Sequence, residues 1–129
     1  MLPLFLTFDE VVEIHTDQIH RYGGTLGIRD HGLLDSALHM PEAGIGEEYL
    51  HSDLFEMAAA YLFHIVQNHP FIDGNKRVGT TTALVFLEMN GITTKISNTL
   101  LVNTVLEVAH GKKGKAGVAD IFRKHSRLR

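Results

Sequence analysis

Cysteine is absent from the 129 residues, which excludes disulfides and thiolate-bound metals and leaves nothing pointing to an oxidising compartment. Long apolar runs are absent as well. The longest, Met57 to Phe63, falls far short of the ~20 residues that span a bilayer. The apolar opening MLPLFLTF lacks a basic flank and is too short for a signal peptide, so the expected location is the cytoplasm. Three chemical signatures are missing: His-Glu-x-x-His, a Walker-type glycine loop and a Gly-x-Ser-x-Gly elbow. Nine histidines are present, but His15/His20 and His64/His69 are five apart, off a common helix face, so a structural zinc site is not expected. Positive charge is scarce through most of the chain. Met1 to Gly111 carries five Lys/Arg against fourteen Asp/Glu, while Lys112 to Arg129 carries seven against Asp120 alone. That basic tail could meet nucleic acid or an acidic partner. It has neither interleaved aromatics nor a recognition helix, and a solvated terminus is its ordinary reading.

What is present is enough apolar sequence for a core. Hydrophobic residues make up 44% and charged ones 21%, the balance of a globular chain, and the length suits one domain over residues 1–129. Thr7 and Glu10 form a capping box, and Val11, Val12, His15, Ile19 and Tyr22 follow at helical spacing until Gly23-Gly24. The turn from Arg21 to Gly24 reads as chemically mute. Asp30 caps a short helix bearing Leu33, Leu34, Ala37 and Leu38, which Pro41 closes. PEAGIGEEYLHS has two glycines and no helical period, and reads as a mobile loop or small hairpin. Asp53 and Glu56 open LFEMAAAYLFHIVQN, a helix apolar almost all round and therefore central. A second apolar helix, KRVGTTTALVFLEMN, stops at Asn90-Gly91. Ser97 caps another through about His110, and a short one runs from Gly117 to Lys124. The expected fold is all-α, about six helices, with no β-rich region.

Between the two central helices stands NHPFIDGNKRVGTT, Asn68 to Thr81. His69 ends one helix, Phe71 is an apolar anchor, and Gly74-Asn75 open the next. A helix start exposes unpaired N–H groups and the positive end of the macrodipole, a natural seat for phosphate. Gly74 lets the backbone approach an anion, and Lys76 and Arg77 add charge, the latter able to grip two oxygens. Asp73 offers a hard oxygen for a Mg²⁺ shared with phosphates. His69 can take a proton from an attacking hydroxyl. Singly, each has an ordinary explanation: a helix-ending His, an Asp-Gly turn, a solvated Lys-Arg pair. Together within nine residues they make the parts of phosphoryl or nucleotidyl transfer.

HPFIDGNKR resembles the signature of Fic-domain proteins, H-P-F-x-D-G-N-G-R-x-x-R, in the variant of the Doc ("death on curing") toxins. IHTDQIHRYGGTLGIRDHGLLDSAL resembles the Doc amino-terminal region, and the two central helices are similar to its catalytic helices, together covering about Phe8 to Gly91. The resemblance implies a Fic fold that transfers part of ATP to a protein hydroxyl. His69 would be the general base and Asp73 the Mg²⁺ ligand. The backbone of Gly74, Asn75 and Lys76, with the Arg77 side chain, would bind phosphates. The loop from Pro41 to Ser52 would be a flap on which a target segment docks as an added strand. The implied target is translation elongation factor Tu, and the implied partner a small antitoxin.

Two positions depart from the Fic consensus. Lys76 stands where adenylylating members have a second glycine, and Thr80 where they have a second arginine. Both disfavour the usual nucleotide pose and favour the Doc-type reversal, in which the γ-phosphate faces the hydroxyl and the enzyme is a kinase. Gly74 keeps adenylylation open as the alternative, and a catalytically inactive Fic-fold binding module is a further one. The closest match to the self-inhibitory Fic helix motif, SDLFEM from Ser52 to Met57, has the wrong last residue and lies in the wrong helix. Inhibition is therefore expected from an antitoxin.

Overall fold

Thr7, Asp30, Asp53 and Ser97 each turn a side-chain oxygen onto a backbone N–H at a helix start, and these caps set the frame. The computed structural model describes residues 2–45 and 48–128. Its helices are α1 Phe8–Tyr22, α2 His31–His39, α3 Leu54–Asn68, α4 Asn75–Met89, α5 Asn98–Ala109 and α6 Lys115–Lys124. The all-α expectation holds. The first capping box is complete: Thr7 N–H donates to Glu10 Oε1 at 2.8 Å, and Glu10 N–H to Thr7 Oγ1 at 3.2 Å. α6 starts slightly before the expected Gly117.

α3 is the hub, packed on α4, α6, α2 and α5. Met57 through Leu62 are buried, with Ile65 and Val66. Three alanines keep its surface low, and α4 meets it at Gly79. A Cβ there would sit 3.1 Å from Val66 Cγ2 and 3.3 Å from the Leu62 carbonyl oxygen, so the helices approach closely only because none exists. Leu62, Ile65, Val78, Phe86 and Leu87 are wholly out of water. Each such side chain contributes about 1.5–3 kcal/mol of transfer free energy. The consequence for function is a rigid α3–α4 corner.

Two short antiparallel pairs accompany the helices. β1 (Gly44–Ile45) pairs with β2 (Glu48–Tyr49), so the Pro41–Ser52 loop takes the hairpin alternative; Gly46 and Glu47 lie outside the described residues. The Tyr49 ring lies 5.7 Å from Phe5, which in turn stacks on Phe86 at 5.8 Å. β3 (Ile92–Thr94) pairs with β4 (Ser126–Leu128). The basic tail is tethered rather than merely solvated. Arg123 meets Asp53 at 2.9 Å and Asp120 at 2.7 Å, and Lys115 Nζ lies 3.1 Å from His64 Nε2. Among the described residues no helix is long and apolar enough to cross a membrane.

Candidate active site

His69 to Gly74, between α3 and α4, form a turn held from three sides. Within the corner, Asn75 is 4% exposed and its side chain spans the turn. Phe71 N–H donates to Asn75 Oδ1, and Asn75 Nδ2 donates to the Phe71 carbonyl, both at 2.9 Å. From α1, the His15 ring stacks on Phe71 with centroids 4.0 Å apart, and its Nε2 lies 2.9 Å from the Asp73 carbonyl oxygen. A carbonyl only accepts, so Nε2 carries the proton. From the α1–α2 loop, Ile72 N–H donates to Gly27 O at 3.1 Å, and Ile28 bridges to Phe71. Phe71 is wholly buried, the anchor expected of it.

His69 leaves α3 as its C-cap in the left-handed region, φ 51° and ψ 52°. Among the described residues no other non-glycine has positive φ. That conformation costs energy for a residue with a Cβ. It also carries the exposed His69 out of the α3 stack and into one cavity with Asp73, Gly74, Asn75, Lys76 and Arg77. Gly74, left-handed at φ 78°, is the α4 N-cap and supplies no side-chain cap. The first intrahelical bond runs from Val78 N–H to its carbonyl at 2.9 Å. The N–H groups of Asn75, Lys76 and Arg77 precede that bond and stand at the positive end of the macrodipole. The Lys76 and Arg77 side chains beside them are exposed.

The turn after α1 is not mute, contrary to its sequence reading. Tyr22, Gly23 and Gly24 form the opposite wall of the cavity, which encloses about 620 Å³. The Arg77 guanidinium lies 5.0 Å from the Tyr22 ring centroid, and its Nη1 is 3.5 Å from the Gly23 carbonyl. Thr25 N–H donates to Asp73 Oδ2 at 3.1 Å. A Cβ on Gly24 would fall 2.7 Å from that oxygen, so this approach needs glycine. Only the tertiary fold gives these glycines their second role; a sequence pattern registers the helix stop alone.

Gly74 N–H donates to Asp73 Oδ1 at 2.9 Å. Each carboxylate oxygen keeps a lone pair and the residue is exposed. Asp73 therefore fits one position around a hard cation that draws its other ligands from phosphates and water. Among the described residues no group of three His, Cys, Asp or Glu is arranged to cage a metal alone. Thr80 turns its hydroxyl into its own helix, donating to the Lys76 carbonyl at 2.7 Å. The arrangement can seat a polyanion at the α4 start and take a proton beside it at His69.

Known proteins resemble the chain across this region. The family model described as the Fic/DOC family matches residues 5–87. The chain is 33% identical over 116 residues, 90% of each protein, to the protein kinase doc of Escherichia phage P1. Over 71 residues, 55% of each, it is 41% identical to the toxin Doc of Mycolicibacterium smegmatis.

Proposed function

The chain belongs to the Fic/DOC family, and from that membership we propose that it is a Doc-type toxin that moves the γ-phosphate of ATP onto a Ser or Thr hydroxyl of a protein target. The observation that carries this reading is the uncapped start of α4 beside an exposed His69, both lining one cavity. At that site the β- and γ-phosphates lie against the N–H groups of Asn75, Lys76 and Arg77, with both cationic side chains offsetting their charge. His69 takes the proton of the target hydroxyl as its oxygen bonds to the γ-phosphorus. The bond from that phosphorus to the β–γ bridging oxygen breaks, and ADP leaves. A Mg²⁺ held at Asp73 would further neutralise the phosphates.

Two features favour the terminal phosphate over the α-phosphate. The Lys76 side chain stands at the helix start where a glycine would leave room for an α-phosphate. Thr80 brings no second cation, and its hydroxyl is committed to the Lys76 carbonyl. Both features disfavour adenylylation, the alternative that Gly74 keeps open. The target is elongation factor Tu, as the family resemblance implies, docked as an added strand along the β1–β2 hairpin, whose Ile45 is 90% exposed. A cognate antitoxin supplies control. An amphipathic segment of it suits the groove of about 280 Å³ between α4 and α5, where Leu101, Val102, Val105 and Leu106 give an apolar floor and Lys76, Arg77, Thr80 and Thr81 line the α4 side.

The test compares wild type with His69→Ala in a translation extract containing γ-labelled ATP. Wild type should label a protein band. The variant should lose on the order of 10²–10⁴ in rate while its circular dichroism is unchanged. Equal labelling by both proteins would remove His69 from the reaction.

A further inference from the structure

Arg29 sits in the α1–α2 loop, exposed, and takes no part in the cavity. Its side chain nevertheless reaches the end of α3. Arg29 Nε donates to the His69 carbonyl at 2.7 Å, and its Nη2 donates to the Asn68 carbonyl at 3.0 Å. The α3 ladder closes before them, with His69 N–H on the Ile65 carbonyl at 3.1 Å, so Arg29 serves carbonyls that the helix leaves unpaired. A cation is also favoured at this negative end of the macrodipole. Its own backbone is tied to the same turn, Arg29 N–H donating to the Pro70 carbonyl at 2.7 Å.

The two carbonyls belong to the two peptide planes that flank the His69 Cα. Each plane is rigid. One planar guanidinium fork that holds both oxygens therefore fixes both planes, and with them φ and ψ of His69. This is the residue whose left-handed backbone a side chain with a Cβ does not favour unaided. A lysine ammonium, a single point of charge, cannot set two planes in this way.

We propose that Arg29 is a positioning residue: it locks His69 in its left-handed conformation and so aims the imidazole at the reacting hydroxyl. The proposal rests on His69 acting as the base. Arg29→Met and Arg29→Lys test it, with kcat and KM for ATP measured by γ-label transfer and the His69 backbone followed by NMR. Arg29→Met should lower kcat about tenfold to a hundredfold, the scale of a small misplacement of a catalytic group. KM for ATP should stay within about twofold, because the phosphate seat on α4 is untouched. The His69 Cα and Cβ shifts should leave their left-handed values, and Arg29→Lys should restore kcat only in part. Unchanged kcat in a folded Arg29→Met protein, or unchanged His69 shifts, would overturn the proposal. If wild type transfers no phosphate at all while Arg29→Met still moves the His69 shifts, the backbone lock stands and the assigned reaction fails.

Discussion

Asn75→Ala removes a side chain that makes two hydrogen bonds to one residue. Phe71 N–H and C=O each lose a 2.9 Å partner, in a corner where Phe71 is 0% and Asn75 4% exposed. A buried polar group left unpaired costs about 1–3 kcal/mol. With some relaxation of the carbonyl toward water, the pair should cost ~2–4 kcal/mol by that scale. Against a typical total of about 5–15 kcal/mol, the variant stays folded at room temperature, with a Tm lower by on the order of 10 °C. Urea unfolding followed by circular dichroism measures the loss, and titration calorimetry measures ATP affinity. The clamp requires both to fall together, because the loosened turn carries the α4 start with it. A phosphate-binding role for the side chain would instead lower affinity with the urea midpoint unchanged. That result, or a stability loss below ~0.5 kcal/mol, inside the usual range for a neutral surface change, would refute the clamp.

Two further outcomes follow. Lys76→Gly should weaken γ-phosphate transfer by removing a charge at the β- and γ-phosphates, and its helix start should admit an α-phosphate; wild-type rates in this variant would argue that Lys76 does not touch the nucleotide. Acid should destabilise the protein through His64, whose pKa burial pushes down to about 4, helped by the Lys115 charge and then by His51. Its unfolded value is near 6.5, so below that pH the unfolded chain binds a proton that the folded chain refuses. Stability therefore declines from about pH 6.5 to about pH 4 and then levels off. His51 is lowered as well, by burial and by Lys115, and adds to the decline. With partial solvent screening, His64 should account for about 1–2 kcal/mol of it. His64→Gln should flatten that part of the curve, measured by urea unfolding at each pH, and an unchanged slope would contradict the assignment.

The helices were legible because their signals are local. Thr7, Asp30, Asp53 and Ser97 cap the helices they precede, and Gly74 opens α4 in the conformation a glycine permits. The residues expected at the site, His69, Asp73, Gly74, Asn75, Lys76 and Arg77, do line one cavity. What the sequence conceals is contact across long separations. His15 reads as one apolar-face residue of α1, yet it anchors Asp73, 58 positions away. Arg29 reads as a loop cation, yet it holds carbonyls 39 and 40 positions on. The β3–β4 pair joins Thr94 to Ser126, 32 apart, and no periodicity announces it. Asn75 is expected at the phosphate cradle through its backbone alone, and that N–H does stand at the helix start. The second role, its amide side chain holding the loop at Phe71, has no local signal.

Phosphate transfer itself is tested most directly by the position of a label. Purified protein and a translation extract are incubated with ATP labelled at the α-phosphorus in one reaction and at the γ-phosphorus in the other. The proposed γ-phosphate transfer requires label from the γ position only, with ADP as the by-product. Label appearing on protein from the α position would contradict this and assign the site to nucleotidyl transfer.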